Sequence, residues 1–120
     1  MPTYVDGFVI PVPKGKLEAY RSMAKKACKI WMEHGAVAYR ECVGDDLNAK
    51  MGPGFRKGIK AKPGDVILFS YIEYKSRSHR DSVNAKVMKD PRISAMCDEK
   101  NSPFDADRML YGGFKAIVEA

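Results

Sequence analysis

The stretch Asp65-Val-Ile-Leu-Phe-Ser-Tyr-Ile-Glu-Tyr74 decides the fold. It is rich in Val, Ile, Phe and Tyr and holds neither proline nor glycine, so it reads as a β-strand. Apolar residues stand side by side at Val66-Ile67-Leu68-Phe69, which puts hydrophobic groups on both faces of the strand. Downstream, Ser78 to Lys89 reads as a helix. His79, Val83 and Val87 recur at steps of four and share one face. Ser78 and Asp81 form an S-x-x-D arrangement that predicts an N-cap at Ser78. Asp90-Pro91 ends the helix, and Arg92 to Cys97 predicts a short further one.

Toward the N-terminus, residues 47–64 hold Gly52-Pro53-Gly54, Gly58 and Pro63-Gly64 and predict a mobile loop. Ala36 to Val43 predicts a strand ending at the polar turn Gly44-Asp45-Asp46. Lys16 to His34 predicts a helix whose apolar stripe is Leu17, Tyr20, Ala24, Cys28 and Trp31. His34-Gly35 marks its end, because glycine can adopt the left-handed conformation a helix stop needs. Tyr4 to Val12 predicts the first strand, closed by Pro11 and Pro13. At the other end Met109 to Val118 predicts the last strand, with a bulge or a close backbone approach at Gly112-Gly113.

The order β-α-β-β-α-β defines an α+β, ferredoxin-like sandwich, formed by a single domain over residues 1–120. Helices cover only one face of such a sheet. The other face then carries apolar residues without cover, which predicts a homodimer closed sheet to sheet.

Composition narrows the function classes. Apolar residues make up 45% and charged residues 30%, as in a globular protein rather than a disordered one. No apolar run approaches the ~18 residues of a membrane span. The start, MPTYVDGFVIPVPKGK, reads as a strand rather than a signal peptide. Cys28, Cys42 and Cys97 match neither a disulfide framework nor a C-x-x-C metal pattern, so buried free thiols in a cytoplasmic protein are expected. The net charge of +6 is uneven. Residues 14–29 and 50–62 are basic, and residues 98–107 are acidic, an asymmetry that attracts anions.

No P-loop, GxGxxG, HExxH or GxSxG is present. With only His34 and His79 in the chain, a multi-histidine metal site is excluded, and no metal or cofactor is expected. His79 is the leading titratable candidate, since it falls on the inward face of its helix in the first turn. Asp6 interrupts an apolar strand, and a carboxylate there must be solvated, paired or protonated. Arg40 and Glu41 point to opposite sides of their strand. The expected polar pocket joins Asp6, Arg40 or Glu41, Tyr71 and His79, with Trp31 in its wall. The bland alternative is an ion pair between Asp6 and Arg40.

The blocks YVDGFVIPVP, EHGAVAYRECVGDD, YKSRSHRDSVNAKVMKDPR and PFDADRMLYGGF resemble the domain-of-unknown-function family 1428 across essentially the whole chain. The resemblance implies a ferredoxin-like subunit paired into a dimeric α/β barrel, in small bacterial proteins. It implies no established activity.

The leading functional reading is binding or transformation of a small organic molecule, oxygenase- or isomerase-like, in a pocket between sheet and helices. His79 and Asp6 are its catalytic candidates. Arg40, Tyr71 and Trp31 are its ligand-binding candidates. The alternatives are a dimeric module without catalysis and a weak nucleic-acid binder acting through the basic loop 50–62. No base-reading motif supports sequence-selective nucleic-acid binding.

Overall fold

A computed structural model describes residues 2–48, 50–96 and 102–120. Its strands are β1 (Tyr4–Pro13), β2 (Ala38–Val43), β3 (Asp65–Tyr74) and β4 (Leu110–Lys115). Its helices are α1 (Leu17–Glu33), α2 (Gly54–Gly58), α3 (Arg77–Met88) and α4 (Pro91–Met96). The strands form one antiparallel sheet in the order β2-β3-β1-β4, the ferredoxin-like arrangement. Within the chain the sheet is open, with β2 and β4 as its edges.

Strand register sorts every side chain to one face or the other. Tyr4 pairs with Tyr74, Asp6 with Ile72, Phe8 with Ser70 and Ile10 with Leu68. Tyr39 pairs with Ile72 and Glu41 with Ser70. This face meets the helices. Ile30 of α1, Val83 and Val87 of α3 and Ile93 of α4 pack there on Tyr4, Ile72 and Tyr74. Tyr20 and Ala24 of α1 pack on Ile10, Val12 and Leu68. The opposite face carries Val5, Val9, Ile67, Phe69, Tyr71, Leu110 and Phe114. Phe69, Leu110 and Phe114 are 48%, 55% and 63% exposed, so the uncovered apolar face expected from β3 is present.

Two local expectations change, and between them a third is narrowed to one of its two options. The N-cap of α3 is Ser76, whose Oγ accepts the His79 backbone N–H at 3.1 Å. The helix therefore starts at Arg77, before Ser78. The Gly112-Gly113 pair makes no bulge, since Gly7–Gly112 and Asp6–Gly113 keep a continuous register. It serves close approach instead. A β-carbon at 113 would lie 2.8 Å from Tyr4 Cε1 and 2.9 Å from Arg80 Nη2. Finally, the 47–64 segment is partly built. Its helix α2 sets Phe55 edge-on to Phe69, with centroids 6.3 Å apart, and Ile59 is buried. Arg56 donates to the carbonyls of Asp65 (2.6 Å) and Lys62 (3.1 Å), which closes the segment on the start of β3.

At the end of α1, Gly35 takes φ 111°, and the Ala36 N–H returns to the Trp31 carbonyl at 3.1 Å, as the His34-Gly35 stop requires. Of the cysteines, Cys28 is half-buried and Cys42 exposed on the open face, so Cys42 is not the buried thiol expected. Cys97, Asp98 and Glu99 lie outside the described residues. No helix among the described residues is long and apolar enough to cross a membrane.

Candidate functional site

The helix-facing side of the sheet carries two polar clusters. The first surrounds Asp6, which is 1% exposed. Asn84 of α3 donates weakly to its Oδ2 at 3.5 Å. Asn84 Oδ1 in turn accepts from Trp31 Nε1 and from the Tyr74 hydroxyl, each at 3.1 Å. Arg80 donates to the Tyr4 hydroxyl at 3.0 Å, and its guanidinium lies 4.9 Å from the centre of that ring. Asp6 Oδ1 and Arg80 Nε face each other at 3.8 Å, and neither has a hydrogen-bond partner. Burial raises the Asp6 carboxyl above its ordinary range, against the opposing pull of Arg80 and the surrounding donors. This cluster ties α3 and α1 to the sheet.

The second cluster surrounds Glu41 on edge strand β2. Glu41 Oε1 accepts from the Tyr20 hydroxyl at 2.7 Å and from the Ser70 hydroxyl, and Oε2 accepts from the Tyr39 hydroxyl at 2.7 Å. Local sequence explains each position. Tyr39 and Glu41 are two apart on one strand and so share a face. Ser70 stands opposite Glu41 on β3. Tyr20 projects down from the buried stripe of α1. Burial, and then the neighbouring carboxylate, push the phenols of Tyr20 and Tyr39 well above the usual range, so both keep their protons and remain donors. The Cys28 thiol is pushed up by the same two causes, burial first.

Glu41, Tyr20 and Tyr39 line a cavity of about 330 Å³ between α1 and β2, with Leu17, Ala24, Cys28, Val43 and Leu68 as its apolar wall. Glu18, Arg21 and Lys25 complete the lining from α1 and are exposed. The site therefore joins an apolar chamber to a single carboxylate held in place by three hydroxyls. Such a carboxylate can accept a hydrogen bond from a ligand or exchange a proton with it.

The register separates the residues expected to share one pocket. Asp6 and Trp31 lie on the helix side. Arg40 and Tyr71 lie together on the open face, where Arg40 Nε donates to the Tyr71 hydroxyl at 2.8 Å. An Asp6–Arg40 pair is thus ruled out by the sheet between them. Asp6 is matched with Arg80, which the sequence pattern did not single out. His79 shares the inner face with Val83 and Val87 as expected, but its Nδ1 accepts the Lys75 backbone N–H at 3.0 Å and its ring meets Tyr74 edge-on. It does not line the Glu41 cavity. Glu41 was one of two options at its position. Tyr20, Tyr39 and Ser70 were not recognised as its partners. Only the Tyr39-x-Glu41 spacing carried a signal. In the basic loop, Arg56 directs donors to two backbone carbonyls, a structural use of that side chain. Among the described residues no group of three or more metal-ligating side chains is assembled.

The fold and the cavity define a ferredoxin-like α+β protein with a polar-floored chamber under its first helix. Residues 3–106 match the family model described as protein of unknown function (DUF1428), and the chain belongs to that family. It is 43% identical over 116 residues to the uncharacterized protein YbaA of Escherichia coli K12, with 97% of each chain covered. The YbaA protein of Shigella flexneri matches equally. Among solved structures, a dimeric ferredoxin-like protein from an uncultured marine organism aligns over 100% of both chains with TM-score 0.58 and 12% identity. A NIPSNAP-family protein of unknown function from Agrobacterium tumefaciens aligns with TM-score 0.58 and 15% identity, over 96% of this chain and 88% of that one. These likenesses support the fold.

Proposed function

We propose that this protein binds a small organic molecule in the chamber between α1 and β2, and that it does so as a homodimer joined through the open sheet face. The observation that carries the binding reading is Glu41, fixed by three hydroxyl donors on the floor of an apolar-walled cavity. A chamber of about 330 Å³ falls at the lower end of the ~300–1,000 Å³ usual for ligand pockets, and apolar walls with a few fixed polar groups are their normal composition. Of the chemistries read from the sequence, isomerase-like proton transfer suits this floor, with Glu41 as the exchanging group. His79 and Asp6 pass to supporting roles in this reading. The test is a ligand-observed NMR screen of fragments of six to twelve heavy atoms. Hits should be lost in Cys28→Phe, whose ring fills the chamber, and kept in a substitution on the open face. Hits indifferent to Cys28→Phe would sink the assignment.

The dimer reading rests on the uncovered face. Its central strands β1 and β3 are ten residues each. Two ten-residue strands of ~33 Å and two six-residue edge strands of ~20 Å, at ~4.8 Å spacing, present on the order of 500 Å², a smaller patch than the ~800 Å² per partner of a standard interface. The dimeric ferredoxin-like protein of the same fold supports a second copy as the occupant, and two such sheets face to face would form an α/β barrel.

A further inference from the structure

Resting on that binding reading, we infer that the chamber takes a compact apolar amine, protonated, with its ammonium group directed at Glu41. The inference comes from counting hydrogen-bond capacity. An ionised carboxylate offers about four acceptor positions and no donor. Three are filled, by Tyr20, Ser70 and Tyr39. One acceptor position of Glu41 is left for a ligand.

The two phenols that line the chamber have spent their only donor on Glu41 and keep their oxygen lone pairs. The chamber floor therefore presents acceptors and has no free donor among these three groups. A ligand whose buried end also carries only acceptors, such as a carboxylate or an ester, leaves both sides unsatisfied. An ammonium group brings three donors and a positive charge, and so answers Glu41 and the two phenol oxygens together. The aromatic rings of Tyr20 and Tyr39 add the attraction of their faces for a cation. The Leu17, Ala24, Cys28, Val43 and Leu68 part of the wall is apolar and matches a hydrocarbon body. Arg21 and Lys25 also line the chamber, but both are exposed, so solvent and salt screen their repulsion of an incoming cation, and the nearby Glu18 offsets part of it.

Three probes of one shape separate the inference from the reading beneath it: benzylamine, benzyl alcohol and benzoate, titrated into the full chain at pH 7 with chemical shifts as readout. Benzylamine should bind about tenfold or more tightly than either of the others, because a charge-assisted hydrogen bond is at stake. In Glu41→Gln that preference should vanish, while benzyl alcohol binding to the same variant reports that fold and chamber are intact. The ranking in the unaltered protein needs no variant and stands on its own. Benzyl alcohol or benzoate binding as well as benzylamine, with all binding lost in Cys28→Phe, would overturn the amine assignment and leave the chamber as a ligand site. Failure of all three probes to bind would overturn both.

Discussion

Asp65 shows how much one side chain can hold. Its Oδ2 accepts from the Lys62 N–H at 2.9 Å and from Arg108 at 2.9 Å, joining the end of the 47–64 segment, the start of β3 and the turn before β4. Burial alone would raise its carboxyl, but the Arg108 hydrogen bond and the Lys62 N–H outweigh it and hold the group below its ordinary 3.8. A lowered folded value means stability that is present above 3.8 and lost as pH falls through the folded value. Asp65→Asn should cost roughly 1.5–3 kcal/mol at pH 7, since hydrogen bonds to a charged group are at stake. In urea melts, the gap from the parent protein should narrow below pH 3.8; a gap constant with pH would remove charge from the explanation. His79 is the contrasting residue. Its Nδ1 is an acceptor for the Lys75 N–H at the strand-to-helix turn. His79→Ala should lower stability by about 1 kcal/mol and leave ligand binding in the folded fraction unchanged. Lost binding at unchanged stability would return His79 to the site. Periodicity placed His79 on the inner face correctly. What its ring bonds to depends on where α3 begins, and the cap is Ser76, two residues before the Ser78 that the S-x-x-D pattern predicts.

At the scale of elements, β4 lies beside β1 with a glycine at 113 because other side chains need the room. Arg80 reaches across position 113 to the Tyr4 hydroxyl. Gly113→Ala sets a methyl group 2.8 Å from Tyr4 Cε1, and the ring or the strand must move. Overpacking of this kind costs about 1–3 kcal/mol. Arg80→Ala should then recover part of the loss; strictly additive denaturation midpoints would show that the two positions do not compete for space. The strands and α1 were readable because each has a strong period. Helix α2 was not, since five residues from Gly54 to Gly58 carry no period, and its anchors, Phe55 on Phe69 and Arg56 on the Asp65 and Lys62 carbonyls, are tertiary contacts that no local pattern announces. The partner of Glu41 was hidden for a related reason. Whether Glu41 faces Ser70 is a matter of register, and register is set jointly by two strands that lie far apart in the chain.

For the whole molecule, the run Val66-Ile67-Leu68-Phe69 already required two apolar layers; α1, α3 and α4 supply one, and on the other α2 covers only part through Phe55 on Phe69. Sedimentation at micromolar concentration should give twice the 13.4 kDa chain mass. Phe69→Glu with Phe114→Glu should give a folded monomer, because each carboxylate would otherwise be buried unpaired between the sheets. A parent protein that sediments as a monomer would refute the paired-sheet assembly. Polar pairing across the sheet was the part that sequence reasoning could not resolve. Alternation states that Arg40 and Glu41 part company, yet it does not state which of them turns toward the helices. That choice depends on the long-range pairing that puts Glu41 under Tyr20.

Trp31 bridges the two polar clusters, with its indole N–H on Asn84 and its ring 6.3 Å from that of Tyr39. It is also the chain's sole tryptophan. The protein thus carries one indole, which can be excited apart from the six tyrosines and is seated a single aromatic ring away from the chamber floor. Its emission can report occupancy of the site and loss of the fold without any label, and every titration and melt described above can be read from the same optical signal.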